Sequence, residues 1–195
     1  KDYEVAKWIS GEMLKLGLKS KPPIAALLSE YLGTDLSRIS NELQKLKMIL
    51  KEGEIINKKI IETHIGISKD FNVFELRKAI GDRNQLRAYT IADNFAQNPK
   101  DNPIVMTTSL VFSFFVQLLK YHGLKDKNPK NAATALGVNP FFLKDYDVAI
   151  KNYPMRKVSQ IVTSLREVDV KSKGVGANAL PQSDLLREML FKIFN

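Results

Sequence analysis

No cysteine occurs in this sequence of 195 residues, and histidine occurs only twice, at positions 64 and 122. The lack of cysteine excludes disulfide bonds, thiolate metal sites and cysteine nucleophiles. The two histidines are 58 positions apart, and neither belongs to an HExxH motif of the kind that binds zinc. We expect both at helix ends, where an imidazole complements the helix dipole, and we expect neither a metal nor a cofactor.

Nucleotide-binding motifs are absent or out of context. No GxxxxGK[ST] run occurs, so the sequence predicts no Walker A loop. Residues 174–179 (GVGANA) imitate the GxGxxA fingerprint of dinucleotide-binding folds, which needs a strand before it and a helix directly after it. A charged helical segment precedes these residues, so we interpret them as a solvated loop. No constellation for catalysis remains, and no chemistry is expected in this chain.

Positive charge dominates and is unevenly distributed. The chain has 30 basic and 21 acidic side chains; residues 1–65 carry 11 and nine of these, and residues 66–195 carry 19 and 12. Such an excess favours anionic partners, including nucleic acids, and it is concentrated in the second part of the chain. The first residues mix charged with apolar side chains, unlike a signal peptide, and an intracellular protein is expected.

Nearly every segment of the first third of the chain shows helical spacing. The clearest apolar stripe contains Leu36, Ile39, Leu43, Leu46 and Leu50. We expect Thr34 or Asp35 to cap this helix, Gly17 and Gly33 to end the two before it, and a short helix to follow Asn57. The pattern predicts a small bundle of three or four helices over residues 1–66.

A larger helical region is predicted over residues 67–195. Asn72 and Asp82 are expected to cap its first two helices, and Pro103 to begin the most apolar helix, which ends at Gly123. That helix approaches the length of a membrane span, but polar side chains interrupt it, so we interpret it as the central helix of a bundle. Further helices are predicted from Pro129, Pro140, Pro154 and Ser183.

Residues 132–143 have the spacing of a helix-turn-helix, with Gly137 at the turn. In that motif the first residues of the second helix contact base edges in the major groove. Here they are proline, two phenylalanines and a leucine, followed by Asp145 and Asp147, all of which read bases poorly. A stand-alone DNA-binding regulator is therefore the alternative function and not the leading one.

Several segments, taken in order, resemble the delta subunit of bacterial DNA polymerase III, a clamp-loader component. The first, residues 27–46 (LLSEYLGTDLSRISNELQKL), is similar to part of that family's second domain, the AAA+ lid. The others are similar to its third domain: residues 70–76 (DFNVFEL), Ala79-Ile80-Gly81 with Arg83-Asn84, residues 136–138 (LGV) and residues 165–171 (LREVDVK). The resemblance covers nearly the whole chain.

This resemblance implies an all-α protein with an AAA+ lid-like bundle over residues 1–66 and a helical collar domain over residues 67–195. It implies a fragment without the N-terminal domain, through which relatives contact the sliding clamp and make most contacts to DNA. The implied partners are the gamma/tau and delta-prime subunits of the clamp loader, with primer-template DNA contacted indirectly and no membrane. The implied location is the bacterial cytoplasm, and the full subunit would be a non-hydrolysing component of the polymerase III holoenzyme.

Candidate contact residues follow from the residues and the resemblance together. If the collar lies above a primer-template, Lys171 and Lys173 are the expected DNA contacts, through charge alone because their loop has no aromatic residue. The candidates for partner contact are Phe141, Phe142, Tyr146 and Phe194. For the last helix, which contains Phe194, burial in the core is the favoured interpretation.

Overall fold

The computed structural model describes residues 2–33, 35–65, 71–175 and 180–195. Eleven α-helices occur in these ranges, the structure is 75% helical, and the prediction of an all-α protein is confirmed. The chain divides into two compact units: residues 1–69 with 137–141, and residues 70–136 with 142–195. We call them the first and second units. The segment 137–141, which the sequence assigned to the second domain, is grouped with the first unit.

Four helices form the first unit: α1 (Asp2–Lys15), α2 (Pro23–Leu32), α3 (Leu36–Ile49) and α4 (Lys58–His64). Two strands of two residues each, β1 (Lys19–Ser20) and β2 (Ile55–Ile56), pair in parallel between them. The Asp35 carboxylate accepts from the Arg38 N–H at 3.0 Å and the Asn57 side chain accepts from the Ile60 N–H at 3.0 Å, so α3 and α4 begin at side-chain caps.

The core of the first unit lies where α1, α2 and α3 meet. Its fully buried side chains include Ile9, Leu28, Ile39, Leu43, Leu46, Ile56 and Ile61. On α3 the predicted stripe holds at its centre, but Leu36 is 42% exposed. Leu36 is the first residue of α3, so its side chain lies at the end of the stripe, and the expectation of burial was wrong at that position.

Seven helices form the second unit. They are α5 (Val73–Gly81), α6 (Gln85–Gln97), α7 (Ile104–Gly123), α8 (Pro129–Leu136), α9 (Leu143–Asn152), α10 (Met155–Ser172) and α11 (Gln182–Phe194). A short 3₁₀ helix, Pro140–Phe142, precedes α9, so the single helix predicted from Pro140 consists of two elements.

The turn between α5 and α6 differs from the sequence prediction. Asp82 terminates α5, and it is the Asn84 side chain that caps α6 by accepting from the Arg87 N–H at 3.1 Å. Arg83 lies between them in the left-handed region at φ 53°. Its guanidinium donates to the Phe194 carbonyl at 2.9 Å and lies 5.4 Å from the Tyr153 ring centroid. Asp82 and Arg83 therefore lie in the turn, and α6 begins later than predicted.

Helix α7 is the centre of the second unit and packs most extensively against α10. Its buried side includes Phe115, whose ring meets that of Tyr153 edge-on at 5.4 Å, and Phe114, which lies 5.3 Å from Tyr146. By length and composition α7 could cross a membrane, and less than half of its most apolar stretch is buried. A single helix of this kind is weak evidence for a span, because the core helix of a bundle has the same composition.

The hydroxyl of Thr108 in α7 is fully buried and has no hydrogen-bond partner in the part of the chain that the structure describes. Such a group costs stability, because it leaves water without compensation. We predict that Thr108→Val, which keeps the shape of the side chain, raises the stability by about 1 kcal/mol. Thermal unfolding followed by circular dichroism measures the change.

The matched control is Thr90→Val on α6, where the exposed hydroxyl donates to the Leu86 carbonyl at 2.8 Å. That substitution removes a hydroxyl that already has a hydrogen-bond partner. It is expected to leave the melting temperature unchanged or slightly lower. An equal gain in both variants would contradict the explanation, because it would show a general effect of valine.

Candidate partner and nucleic-acid surfaces

Two of the four aromatic candidates for partner contact lie at or near the surface. Phe141 is 56% exposed, and its N–H donates to the Asn139 side chain at 3.0 Å. Phe142 is half-buried, with its ring centroid 5.8 Å from the guanidinium carbon of Arg77. Phe141 therefore offers the largest accessible apolar area among the four.

The other two candidates lie inside the second unit. Tyr146 is fully buried, and its hydroxyl donates to the Gln117 side chain at 2.5 Å. Phe194 is 4% exposed and lies 6.3 Å from the ring of Tyr89. The expectation of burial for the last helix is confirmed by this packing. A partner contact by Tyr146 or Phe194 stays a prediction, and it would require the core to open.

The helix-turn-helix spacing corresponds to α8, a turn at Gly137 with φ 71°, and α9. The residues that would face bases are engaged elsewhere: Leu143 is buried, and the Asp147 carboxylate accepts from the Tyr121 hydroxyl at 2.6 Å. Burial and this bond raise the pKa of Tyr121 to about 12. One face of α9 therefore packs against α7, which leaves few side chains for reading a groove.

Both predicted DNA contacts have carboxylate partners. The Lys171 ammonium lies 2.7 Å from Glu188, and the Lys173 ammonium lies 2.7 Å from Asp169. The second pair has i,i+4 spacing and could be anticipated from sequence. The first joins two helices 17 positions apart, so no local pattern reveals it. Of the loop that follows, residues 176–179 lie outside the described part of the chain.

Lys171 belongs to a larger network between α10 and α11. Lys192 lies 2.6 Å from Glu167 and 3.1 Å from Glu188. The hydrogen bond from Lys192 lowers the pKa of Glu167, and the hydrogen bond from Lys171 lowers that of Glu188. This end of α10 is consequently close to electrically neutral.

Neither histidine has the surroundings of a metal ligand. His122 lies in the last turn of α7, with Nε2 2.8 Å from the Tyr153 carbonyl oxygen, and His64 is in the last turn of α4. Among the described residues no group of three histidine, aspartate or glutamate side chains could hold an ion. The helix-end positions agree with the prediction for both histidines.

The fold is that of clamp-loader delta subunits. A solved structure of the Bacillus subtilis DNA clamp loader delta protein matches the whole chain with a TM-score of 0.66 and 20% identity, and 56% of that protein is covered. Residues 70–188 match the family described as DNA polymerase III delta subunit, C-terminal domain, and the chain belongs to this family.

A relative described as a probable DNA polymerase III subunit delta, from Mycoplasma genitalium, is 27% identical over 186 residues. The match takes in 94% of this chain and 60% of that protein. The chain therefore spans somewhat more than half the length of the proteins it resembles.

The ion-pair network predicts a specific pH dependence of stability. The pKa values of Glu167 and Glu188 in the folded chain lie below the ordinary 4.5, so the unfolded chain binds protons first as the pH falls. Their contribution is present above about pH 4.5 and is lost below it. We predict that Lys192→Met lowers the melting temperature at pH 7 and that this difference shrinks at pH 3.5.

Lys144→Met is the matched control, because Lys144 is an exposed helical lysine without an ion pair in the described residues. Its effect on the melting temperature is expected to be small and independent of pH. A Lys192→Met difference that is the same at both pH values would show that the network does not stabilise the fold.

Proposed function

We propose that this chain is the lid and collar part of a clamp-loader delta subunit, which assembles with other subunits to load a sliding clamp on primed DNA in the bacterial cytoplasm. The observation that carries the proposal is the family match over residues 70–188. In this proposal residues 1–66 are the AAA+ lid-like bundle and residues 67–195 the collar domain. The chain's own task is binding, and no catalytic step is assigned to it.

The proposed partners are the gamma/tau and delta-prime subunits, with contact to the sliding clamp left to the domain that precedes these two in the family. Support comes from apolar area that the second unit leaves open. Val105, Met106 and Leu110 lie exposed on the outer side of α7. Contiguous apolar surface of this kind is typical of subunit interfaces.

Lys171 and Lys173 remain proposed DNA contacts. Each would have to exchange its carboxylate partner, 2.7 Å away, for a phosphate. Surface ion pairs of this type contribute roughly 0–1 kcal/mol, so the exchange is feasible but gives little net affinity. Any contribution from this pair should therefore be small and strongly dependent on salt.

The regulator alternative has less support. Its recognition helix would be α9, whose Leu143 and Tyr146 are buried in the second unit. A regulator should also prefer one duplex sequence, because each good base contact is worth about 1–3 kcal/mol. The family match gives no reason to expect such a preference.

Assembly through an exposed aromatic side chain is testable by capture. We predict that the tagged chain retains purified gamma/tau and delta-prime subunits from the same source in 0.3 M salt, and that Phe141→Ser lowers the retained amount at least threefold. A side chain that is more than half exposed contributes little to the fold, so the variant should remain folded.

Phe191→Ser is the control, because Phe191 is 61% exposed and lies outside the candidate set. It is expected to retain the partners like the unmodified chain. Loss with Phe191→Ser and not with Phe141→Ser would move the interface to α11. No retention by the unmodified chain would contradict the proposed assembly.

A further inference from the structure

Three helix ends of the second unit meet at one place, the C-terminal end of α7. The Tyr121 hydroxyl joins it to α9 through Asp147 at 2.6 Å, and His122 joins it to the start of α10 through the Tyr153 carbonyl at 2.8 Å. The segment that leaves α7 folds back on it, because the Lys127 ammonium lies 5.7 Å from the Tyr121 ring centroid. The N-terminal turn of α8 follows directly.

Six exposed basic side chains lie on the segments that begin or end at this place, and we call this region the basic end. They are Lys120, Lys125, Lys127, Lys130, Lys151 and Arg156. Lys151 is one helical turn beyond Asp147, and so on the side of α9 that faces the end of α7. None of the six forms an ion pair within the ranges that the structure describes.

Two carboxylates in the same region, Asp126 and Asp147, accept hydrogen bonds from neutral groups and form no ion pair with the six cations among the described residues. Asp126 accepts from the Asn128 N–H at 2.8 Å and from the Asn131 side chain at 2.6 Å, which lowers its pKa. Asp147 accepts from Tyr121. The first turns of α8 and α10 contain no acidic residue, so their N-terminal dipoles add to the positive potential.

The C-terminal end of α10 differs from the basic end in how its cations are paired. There Lys171, Lys173 and Lys192 each lie within 2.7 Å of a carboxylate. At the C-terminal end of α10 the cations are therefore neutralised by carboxylates of the protein. At the basic end the cations have no ion-pair partner in the described residues and are available to bind another molecule.

We propose that the basic end binds the phosphate backbone of DNA. Lysine is depleted in the cores of protein–protein interfaces, whereas flexible ammonium groups suit phosphates, and five of the six residues are lysines. No tyrosine, phenylalanine or tryptophan is exposed among them, since Tyr121 is buried, so bases are not stacked and the contact is independent of sequence. This inference rests on the proposed function for the choice of DNA as the anion.

The test compares two triple variants of the full chain with equal charge change. Lys125→Gln, Lys127→Gln and Arg156→Gln together alter the basic end. Lys78→Gln, Lys100→Gln and Arg187→Gln remove the same number of each cation elsewhere, where Lys78 and Arg187 have carboxylate partners. Binding to a fluorescent 30-mer, single-stranded and as a primed duplex, is measured by anisotropy between 50 and 200 mM NaCl.

We expect the first triple variant to bind at least about tenfold more weakly at 50 mM salt and to lose about 2 to 3 from the slope of log K against log salt. The control should bind within about twofold of the unmodified chain. Equal losses in the two variants would overturn the proposal, because net charge alone would then explain binding. Loss confined to a Lys171→Gln/Lys173→Gln variant would overturn it in favour of those lysines.

Failure of this inference can be told apart from failure of the proposed function. If the unmodified chain captures gamma/tau and delta-prime but binds neither DNA form, the clamp-loader assignment stands and the basic end is not a DNA site. Retention of an acidic partner subunit that is lost in the first triple variant would then identify the basic end as a protein contact. If neither subunits nor DNA are bound, both proposals fail.

Discussion

Burial of one side of α7 is the constraint on which the second unit depends. Phe114, Phe115 and Leu118 are buried on this side, and the rings of Tyr146 and Tyr153 pack against the two phenylalanines. Tyr153 also donates to the Ile80 carbonyl at 2.8 Å, so the same side chain fixes the end of α5. Because aromatic side chains bury large areas and their hydroxyls need partners, this cluster sets which helix ends meet.

The two proposed contact surfaces both lie on α7. On its outer side Val105, Met106 and Leu110 are exposed, and this is the surface proposed to meet other subunits. The C-terminal end of α7 is bonded to α9 and α10 through Tyr121 and His122, and six cations without an ion pair among the described residues lie on the five segments near it. Lys171 and Lys173 at the C-terminal end of α10, and Lys192 on α11, are instead paired with carboxylates. In the described residues the cations at the C-terminal end of α10 are paired and those at the basic end are not, which is why we propose the basic end as the contact for a polyanion.

Local signals in the sequence predicted the elements well and the contacts between them poorly. Proline, glycine and asparagine located α2, α4 and α8 closely, because these residues act on the adjacent backbone. Asp82 was expected to cap α6, but it ends α5, and the cap of α6 is Asn84, a residue type equally suited to that position. Spacing alone could not decide between two suitable caps so close together.

For the candidate contact residues, too, the contacts between helices were not predicted from local signals. Tyr146 and Phe194 were selected as apolar residues that could meet partners, but their burial depends on packing with Gln117 and Tyr89 on other helices. Lys171 was selected for its charge, and its partner Glu188 lies on another helix. The basic end was not recognised because its members come from α7, α8, α9, α10 and a connecting segment. Four of its six members lie within residues 120–130, but Lys151 and Arg156 are more than 20 positions further along, and only the contacts of Tyr121 and His122 connect their helices with the end of α7.

The central claim is that the chain is an assembly subunit of a clamp loader. Light scattering on a sizing column, with the chain mixed with gamma/tau and delta-prime from the same source, tests it most directly. The account predicts a single peak whose mass equals a stoichiometric complex containing one copy of this chain. Separate elution of every protein at its own mass, under conditions where gamma/tau and delta-prime are folded, would contradict it.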